Sequence, residues 1–182
     1  MTNRNDRDAL DDGKIELVPA SEEHSSTLAN LMQLYIHDFS EFVEVTPETD
    51  GRFEYPQLAL YWIETNRRAY LVKVQSRLAG FVLLKHGSTI MGDDAAWDVA
   101  EFFILRGERR RGVGTMVAHR VWTELAGRWE VRVLESNRAA VLFWERAIEE
   151  FCGSSFQATS VQKDGVPWRE FRFLSRGSHA TP

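Results

Sequence analysis

The segment ERRRGVGT, residues 108–115, combines residue types that bind phosphate groups. Gly112 and Gly114 have no Cβ to keep a ligand away from the backbone. If a helix begins here, its first amides can donate to an anion, and the helix terminus adds partial positive charge. The arginines at residues 109–111 add forked donors at the same point. The segment is therefore a candidate site for a pyrophosphate.

Neither common nucleotide-binding loop fits this segment. The P-loop ends in Gly-Lys-Ser/Thr, and the residue before Thr115 is glycine instead of lysine. The dinucleotide fingerprint needs a third glycine three residues after Gly114, where Val117 stands. Three interpretations remain at this point: another kind of phosphate loop, a tight strand-to-helix turn that needs glycine, or a basic patch for nucleic acid.

Two carboxylates, Asp98 and Glu101, stand in the otherwise apolar segment WDVAEFFIL. A charged group in a central strand needs a partner or a function. Either carboxylate could take a proton from an attacking amine, which is almost fully protonated at neutral pH. For each, a salt bridge to an arginine is the structural alternative. Strand alternation places the two on opposite faces of the sheet unless a bulge interrupts the strand.

Length and composition limit the class of protein. A chain of 182 residues, 43% of them apolar, is long enough for one globular domain with a sizeable core. The net charge of -5 disfavours a nucleic-acid binder, whose domain usually carries a basic excess. We therefore expect no nucleic-acid partner, and the arginines of the glycine loop need another explanation.

The distribution of particular residues predicts where the protein works. The five histidines and the single Cys152 are scattered, so we expect no metal site and no disulfide within the chain. We expect no membrane segment, because no run of about 18 apolar residues is present. The first 13 residues are polar and lack the apolar core of a signal peptide. These observations predict a cytoplasmic protein.

The apolar pattern predicts one mixed α/β or α+β domain built around a single sheet. We expect residues 1–13 to form a disordered leader, residues 14–174 the domain and residues 175–182 a flexible tail. The predicted strands are KIELVPA, AYLVKV, LAGFVLLKH, WDVAEFFIL, WEVRVLE, SFQATSV and PWREFRFL, and the predicted helices are SEEHSSTLANLMQLYIHDF, QLALYWIETNR, MVAHRVWTELA and SNRAAVLFWERAIEEF, the last capped by Asn137 or Ser136. This order places the carboxylates on a central strand and the glycine loop between that strand and a helix.

Two motifs in register resemble those of the GNAT superfamily of N-acetyltransferases. Residues Arg109 to Gly114 match its acetyl-CoA signature, Arg/Gln-x-x-Gly-x-Gly/Ala. The segment SNRAAVLFWERAI resembles its Asn-x-x-Ala-x-x-Phe-Tyr helix, with Asn137, Ala140 and Phe143 in place. The chain is also similar to a subgroup whose acetyltransferase substrates are unassigned.

The resemblance implies a fold and an activity. The fold is a single domain with a mixed, mostly antiparallel sheet of about six to seven strands, about four flanking helices, and the fourth and fifth strands splayed apart. The activity is transfer of an acetyl group from acetyl-CoA to a primary amine of a small molecule or peptide, by direct attack in a ternary complex. A homodimer is also possible within the family. Trp144 stands where many members carry a proton-donating tyrosine, so a non-catalytic acyl-CoA-binding domain is the alternative.

The resemblance also implies roles for individual residues. Backbone groups of Phe102 to Ile104 would pair with the pantetheine arm, and amides from Arg110 to Thr115 would hold the pyrophosphate. The expected cofactor-binding residues are Phe102, Phe103, Ile104, Arg109, Arg110, Arg111, Gly112, Val113, Gly114, Thr115, Asn137, Phe143 and Trp144. The first two helices and their connection would line the acceptor pocket, with Tyr35, Asp38, Tyr55 and Trp62 as its expected residues. Glu101 and Asp98 are both supported as the base.

Overall fold

The computed structural model describes residues 14–87 and 94–177. The predicted leader and residues 178–182 of the predicted tail lie outside the described residues. Within the described part, the strands are β1 (Ile15–Pro19), β2 (Arg67–Val74), β3 (Arg77–His86), β4 (Ala96–Ile104), β5 (Gly127–Leu134), β6 (Phe156–Lys163) and β7 (Val166–Ser175). The α-helices are α1 (Ser25–Phe39), α2 (Val113–Glu124) and α3 (Arg138–Cys152), and short 3-10 helices span Glu22–His24, Pro56–Trp62 and Arg106–Glu108.

Two boundaries differ from the prediction. The segment predicted as the second helix, residues 57–67, is helical only over Pro56–Trp62, as a 3-10 helix. Proline at its start removes a backbone donor and is compatible with the first turn of a helix. Ser175, predicted as the first residue of the tail, is buried in β7, and its hydroxyl donates to the carbonyl of Trp122.

The described strands form one sheet in the order β1-β2-β3-β4-β5-β7-β6. All neighbours are antiparallel except β4 and β5, which are parallel. The predicted mixed, mostly antiparallel sheet is therefore confirmed. In the described chain, β4 and β5 pair only where Ala96 to Asp98 lie beside Arg128 to Glu130. Beyond Asp98 the two strands diverge, and β4 has a backbone edge with no strand beside it.

A β-bulge interrupts β4 in the middle of the sheet. Leu83 of β3 lies opposite Glu101, whereas the next residue, Leu84, lies opposite Val99. Ala100 is therefore the extra residue. Because a bulge shifts the alternation of side chains by one position, the residues after it point to faces that simple counting does not predict.

The helices cover both faces of the sheet. On one face, α2 and α3 pack on a large cluster that includes Trp122, Trp129 and Phe171. On the other face, α1 packs through Leu28 and Met32, which are almost fully buried, against a second cluster on β2, β3 and β4. Burying each such side chain contributes about 1.5–3 kcal/mol. The packing holds α1 beside the end of β4, close to Glu101 and to the start of the glycine loop.

Candidate active site

The bulge turns Glu101 toward α1 and the connection that follows it. The Tyr55 hydroxyl donates to Oε1 of Glu101 at 2.8 Å, and Tyr35 of α1 also hydrogen-bonds to this carboxylate. Burial raises the pKa of Glu101, and the two tyrosine hydrogen bonds oppose that rise. Two residues predicted for the acceptor pocket, Tyr35 and Tyr55, therefore contact Glu101, which is one of the two predicted bases.

Asp98 lies on the same face but in a different environment. It is 5% exposed, and its Oδ2 accepts from Nη2 of Arg132 on β5 at 2.6 Å. Burial raises the pKa of Asp98, and Arg132 acts to lower it. Asp98 thus has the arginine partner of the structural alternative, whereas the ion pairs found among the described residues do not include Glu101.

Simple alternation would place Asp98 and Glu101 on opposite faces, but the bulge that the sequence left open is present and brings them to one face. Strand alternation also grouped Asp98 with Phe102, but the ring of Phe102 packs against Phe143 and Trp144 on the other face of the sheet. The physical reason is the extra residue Ala100, which restores Glu101 to the face that Asp98 occupies.

The glycine loop has the geometry that a phosphate site needs. Gly112 caps α2 with φ of 83°, in the left-handed region that favours glycine. Within α2, the amide of Met116 bonds back to the carbonyl of Gly112, so the amides of residues 113–115 belong to the first turn and have no partner inside the helix. The loop therefore presents helix-start amides together with the partial positive charge of the helix terminus.

Gly114 is also required for packing. A Cβ at this position would lie 3.0 Å from Cε2 and 3.1 Å from Cζ of Phe143, closer than ordinary contacts, and 3.8 Å from Cε1 of Phe102. The glycine loop, β4 and α3 therefore touch at this point. The phosphate-loop and tight-turn interpretations of the two glycines are both compatible with this contact.

Arg109 fastens the glycine loop to its surroundings. Its Nε donates to the carbonyl of Ile104 at 2.7 Å, and its Nη2 donates to Oδ2 of Asp38 at 2.6 Å. Arg106 donates to the other oxygen of Asp38 at 3.0 Å. Asp38, which was predicted to line the acceptor pocket, thus joins α1 to the glycine loop. None of these contacts involves Glu101.

The basic segment carries less unpaired positive charge than its sequence indicates. Arg111 pairs with Glu108 at 2.7 Å, and Arg106 and Arg109 share Asp38. Arg110 is exposed, with φ of 62°. This pairing weakens the interpretation of the segment as a nucleic-acid patch, which depends on clustered cationic side chains.

Helix α3 presents Phe143 and Trp144 in different directions. Phe143 lies against Gly114, whereas Trp144 is 6% exposed in the core, with its ring 4.9 Å from Phe102 and 6.1 Å from Trp122 between centroids. The indole is enclosed by other aromatic rings because neighbouring positions on a helix point about 100° apart. Trp144 therefore lies in the apolar core, in contact with Phe102 and Phe143, and its role in cofactor binding stays a prediction.

Asn137 caps α3, as predicted. Its side-chain oxygen accepts from the amide of Ala140 at 3.0 Å. The cap places the start of α3 just after the end of β5, which is the strand that diverges from β4. Phe103 and Ile104 are buried in the core, at 4% and 7% exposure, so only their backbone can take part in binding.

The acceptor residues are only partly brought together. Tyr35 and Tyr55 meet at Glu101, and Trp62 packs on the apolar cluster below α1. Phe39 and Phe42 were not predicted as site residues, and their rings continue from Tyr35 past the end of α1. The spacing of Tyr35 and Phe39, four residues apart on one helix, was the available signal.

Two further properties concern ligands and membranes. Among residues 14–87 and 94–177, no group of three or more His, Cys, Asp or Glu side chains could hold a metal ion. Of the helices in this part of the chain, none has the length and apolar character needed to cross a bilayer.

The profile of the Acetyltransferase (GNAT) family matches residues 28–148, about two thirds of the chain. No curated protein matches significantly.

Solved structures share the fold at low sequence identity. An acetyltransferase from Thermus thermophilus superposes with a TM-score of 0.64 at 18% identity, over 88% of this chain and 97% of that one. Spermidine N-acetyltransferase from Vibrio cholerae, in complex with CoA and spermine, has a TM-score of 0.62 at 14% identity, over 90% and 96%. The yncA protein of Salmonella typhimurium, with its cofactor acetyl-CoA, has a TM-score of 0.61 at 12% identity, over 93% and 98%.

Proposed function

Because the chain belongs to the GNAT family of acetyltransferases, we propose that it transfers an acetyl group from acetyl-CoA to a primary amine, by direct attack in a ternary complex. The amine belongs to a small molecule or a peptide. The observation that carries this proposal is Glu101, a partly buried carboxylate that two tyrosines hold beside the diverging end of β4. We place the reaction in the cytoplasm, and we keep the homodimer as a prediction that sedimentation can test.

The residues around the glycine loop fit acetyl-CoA. The first-turn amides at residues 113–115 suit the pyrophosphate, with the exposed Arg110 beside them. The edge of β4 at residues 102–104 that faces away from β3 suits the amide groups of the pantetheine arm, because no strand lies beside it, although the carbonyl of Ile104 already accepts from Arg109. Asn137 begins α3 on the far side of this gap. Acetyl-CoA supplies the activated thioester.

Glu101 acts as the base in this proposal. An alkylammonium group must lose a proton before it can attack, which costs about 4–5 kcal/mol at pH 7 for an ordinary amine. Burial raises the pKa of Glu101 toward the range where a carboxylate accepts protons effectively. The amine nitrogen then bonds to the acetyl carbon, the carbon–sulfur bond breaks, and the further proton that the nitrogen must lose passes to the departing thiolate, directly or through water.

The test is release of CoA with a panel of primary amines, for the wild type and two isosteric variants. We expect Glu101→Gln to lower kcat by about 10²–10⁴-fold, the usual cost of losing general base catalysis. Asp98→Asn is the matched control, because that carboxylate is already paired with Arg132, and kcat should stay within about tenfold of wild type. Calorimetry should show unchanged CoA affinity for both variants.

Two results would contradict the proposal. If the protein binds CoA but no amine in the panel releases it, the chain is a non-catalytic acyl-CoA-binding domain. If Asp98→Asn loses activity while Glu101→Gln keeps it, with both variants folded by circular dichroism, the base is Asp98.

A further inference from the structure

Charges around the proposed base are almost fully compensated by arginines. Three acids near the acceptor helices have arginine partners: Asp38 with Arg106 and Arg109, Asp98 with Arg132, and Glu64 with Arg67. Glu101 is held by tyrosine hydroxyls instead. Within the described part of the chain, this leaves one negative charge at the site without an ion-pair partner. A single ammonium group would match it.

Other acids of the connection between α1 and β2 do not add a second buried, unpaired negative charge to the site. Glu41, Glu44 and Glu54 are exposed to solvent. Hydrated carboxylates at a surface contribute little to the energy of an ion pair. On the other side of the site, Asp38 is already paired with Arg106 and Arg109. A second ammonium group of an acceptor would find no unpaired buried carboxylate there.

An aromatic strip leads away from Glu101 along the end of α1. We use this name for Tyr35, Phe39 and Phe42. The rings of Tyr35 and Phe39 stack with centroids 5.7 Å apart, and those of Phe39 and Phe42 meet edge-on at 6.4 Å. Phe39 and Phe42 are half-buried and belong to neither apolar cluster of the sheet. The strip thus begins at the hydroxyl that binds the base and ends at partly exposed aromatic surface.

We infer that the acceptor is an amine with a single positive charge, whose apolar or aromatic body lies on the aromatic strip, and that it is not a polyamine. This inference rests on the proposed function. The ammonium group neutralises Glu101 and passes its proton to it, while the body of the acceptor covers the rings of Phe39 and Phe42. Aromatic contacts of this kind stabilise a complex beyond the effect of the area that they bury.

The experiment measures CoA release with 2-phenylethylamine, butylamine and spermidine. We expect kcat/KM for 2-phenylethylamine to exceed that for spermidine by at least about tenfold, equivalent to about 1.4 kcal/mol. Phe42→Ala should raise KM for 2-phenylethylamine by about three- to tenfold at unchanged kcat, with a smaller effect on butylamine. Leu34→Ala is the control, since Leu34 is 51% exposed on the same helix but outside the strip, and its KM should stay within about twofold.

The outcomes separate the two claims. A preference for spermidine, or an equal rise in KM for all three amines in Phe42→Ala, would overturn this inference and leave acetyl transfer intact. The comparison of substrates on the wild type does not depend on any variant folding. Absence of CoA release with every amine would overturn the proposed function, and the inference with it.

Discussion

The hydrogen bond from Tyr55 to Glu101 joins residues 46 positions apart in the sequence and holds the proposed base. The hydroxyl stabilises the charged form of the carboxylate, so its removal raises the pKa of Glu101 further. We therefore expect Tyr55→Phe to move the acidic limb of the kcat/KM profile to higher pH. Activity below that limb should fall by about tenfold or more, since a hydrogen bond to a charged group is worth about 1.5–3 kcal/mol.

The matched control is Tyr70→Phe, which removes another tyrosine–glutamate hydrogen bond, to Glu124 at 3.2 Å. That pair joins β2 to the end of α2 and does not include Glu101. The pH profile of Tyr70→Phe should match that of the wild type. A profile of Tyr55→Phe that keeps its acidic limb in place, at reduced or unchanged rate, would show that Glu101 is not the titrating base.

Trp144 is a core residue at a position where many family members have a proton donor. We expect Trp144→Phe to keep kcat within about tenfold, because loss of general acid catalysis costs about 10²–10⁴-fold and a buried indole supplies none. Its stability should fall by about 1–3 kcal/mol through lost packing. Trp129→Phe, at another buried tryptophan, should give a similar fall in melting temperature. A thousandfold loss of kcat in folded Trp144→Phe would make the indole part of the chemistry.

At the scale of elements, we expect the contact between the glycine loop and α3 to control the binding of acetyl-CoA. A Cβ on Gly114 would push against Phe143, so Gly114→Ala must displace that ring or the start of α2. Overpacking of this kind costs about 1–3 kcal/mol. We expect CoA affinity, measured by calorimetry, to fall by about tenfold or more.

Gly107→Ala provides the comparison for the glycine loop. Gly107 lies in the 3-10 helix just before the loop, and a Cβ there would meet no atom within 4 Å. Its CoA affinity should stay within about twofold of the wild type. Equal affinities for both variants, each folded by circular dichroism, would remove the glycine loop from the cofactor site.

The raised pKa of Glu101 should lower the free energy of unfolding of the whole molecule at neutral pH. A carboxyl group with a raised pKa binds its proton more tightly in the folded chain, so its contribution to stability falls as pH rises from the ordinary glutamate value through the folded-state pKa. We expect Glu101→Gln to melt at a higher temperature than the wild type at neutral pH. Each kcal/mol gained corresponds to about 2–4 °C in a domain of this size.

The pH dependence of melting tests the sign of this effect. The advantage of Glu101→Gln should shrink as pH falls below the folded-state pKa of Glu101, because the wild-type carboxyl is then neutral as well. Glu16→Gln, at an exposed position of β1, should change stability by less than about 0.5 kcal/mol at any of these pH values. A lower melting temperature for Glu101→Gln at neutral pH would show that the charged carboxylate stabilises the fold.

Short stretches of sequence by themselves determined the elements and the loop. Gly112 takes the left-handed conformation that begins α2, and the side chain of Asn137 accepts a hydrogen bond from an amide in the first turn of α3. These are local effects of single residues on neighbouring backbone, so they can be read without knowing the rest of the fold. Apolar periodicity likewise predicted one α/β or α+β domain around a single sheet, and the family resemblance implied the mixed sheet and the gap between β4 and β5.

Tertiary structure alone decided which side chains meet. The bulge at Ala100 depends on pairing with β3, and it brings Asp98 and Glu101 to one face. Two further features depend on how the helices are oriented against the sheet. They are the ion pair between Asp38 and Arg109 and the burial of Trp144 instead of Phe143. Such contacts join residues far apart in the chain, and the free energy that selects them comes from packing of the whole core. A pattern of neighbouring residue types therefore does not contain them.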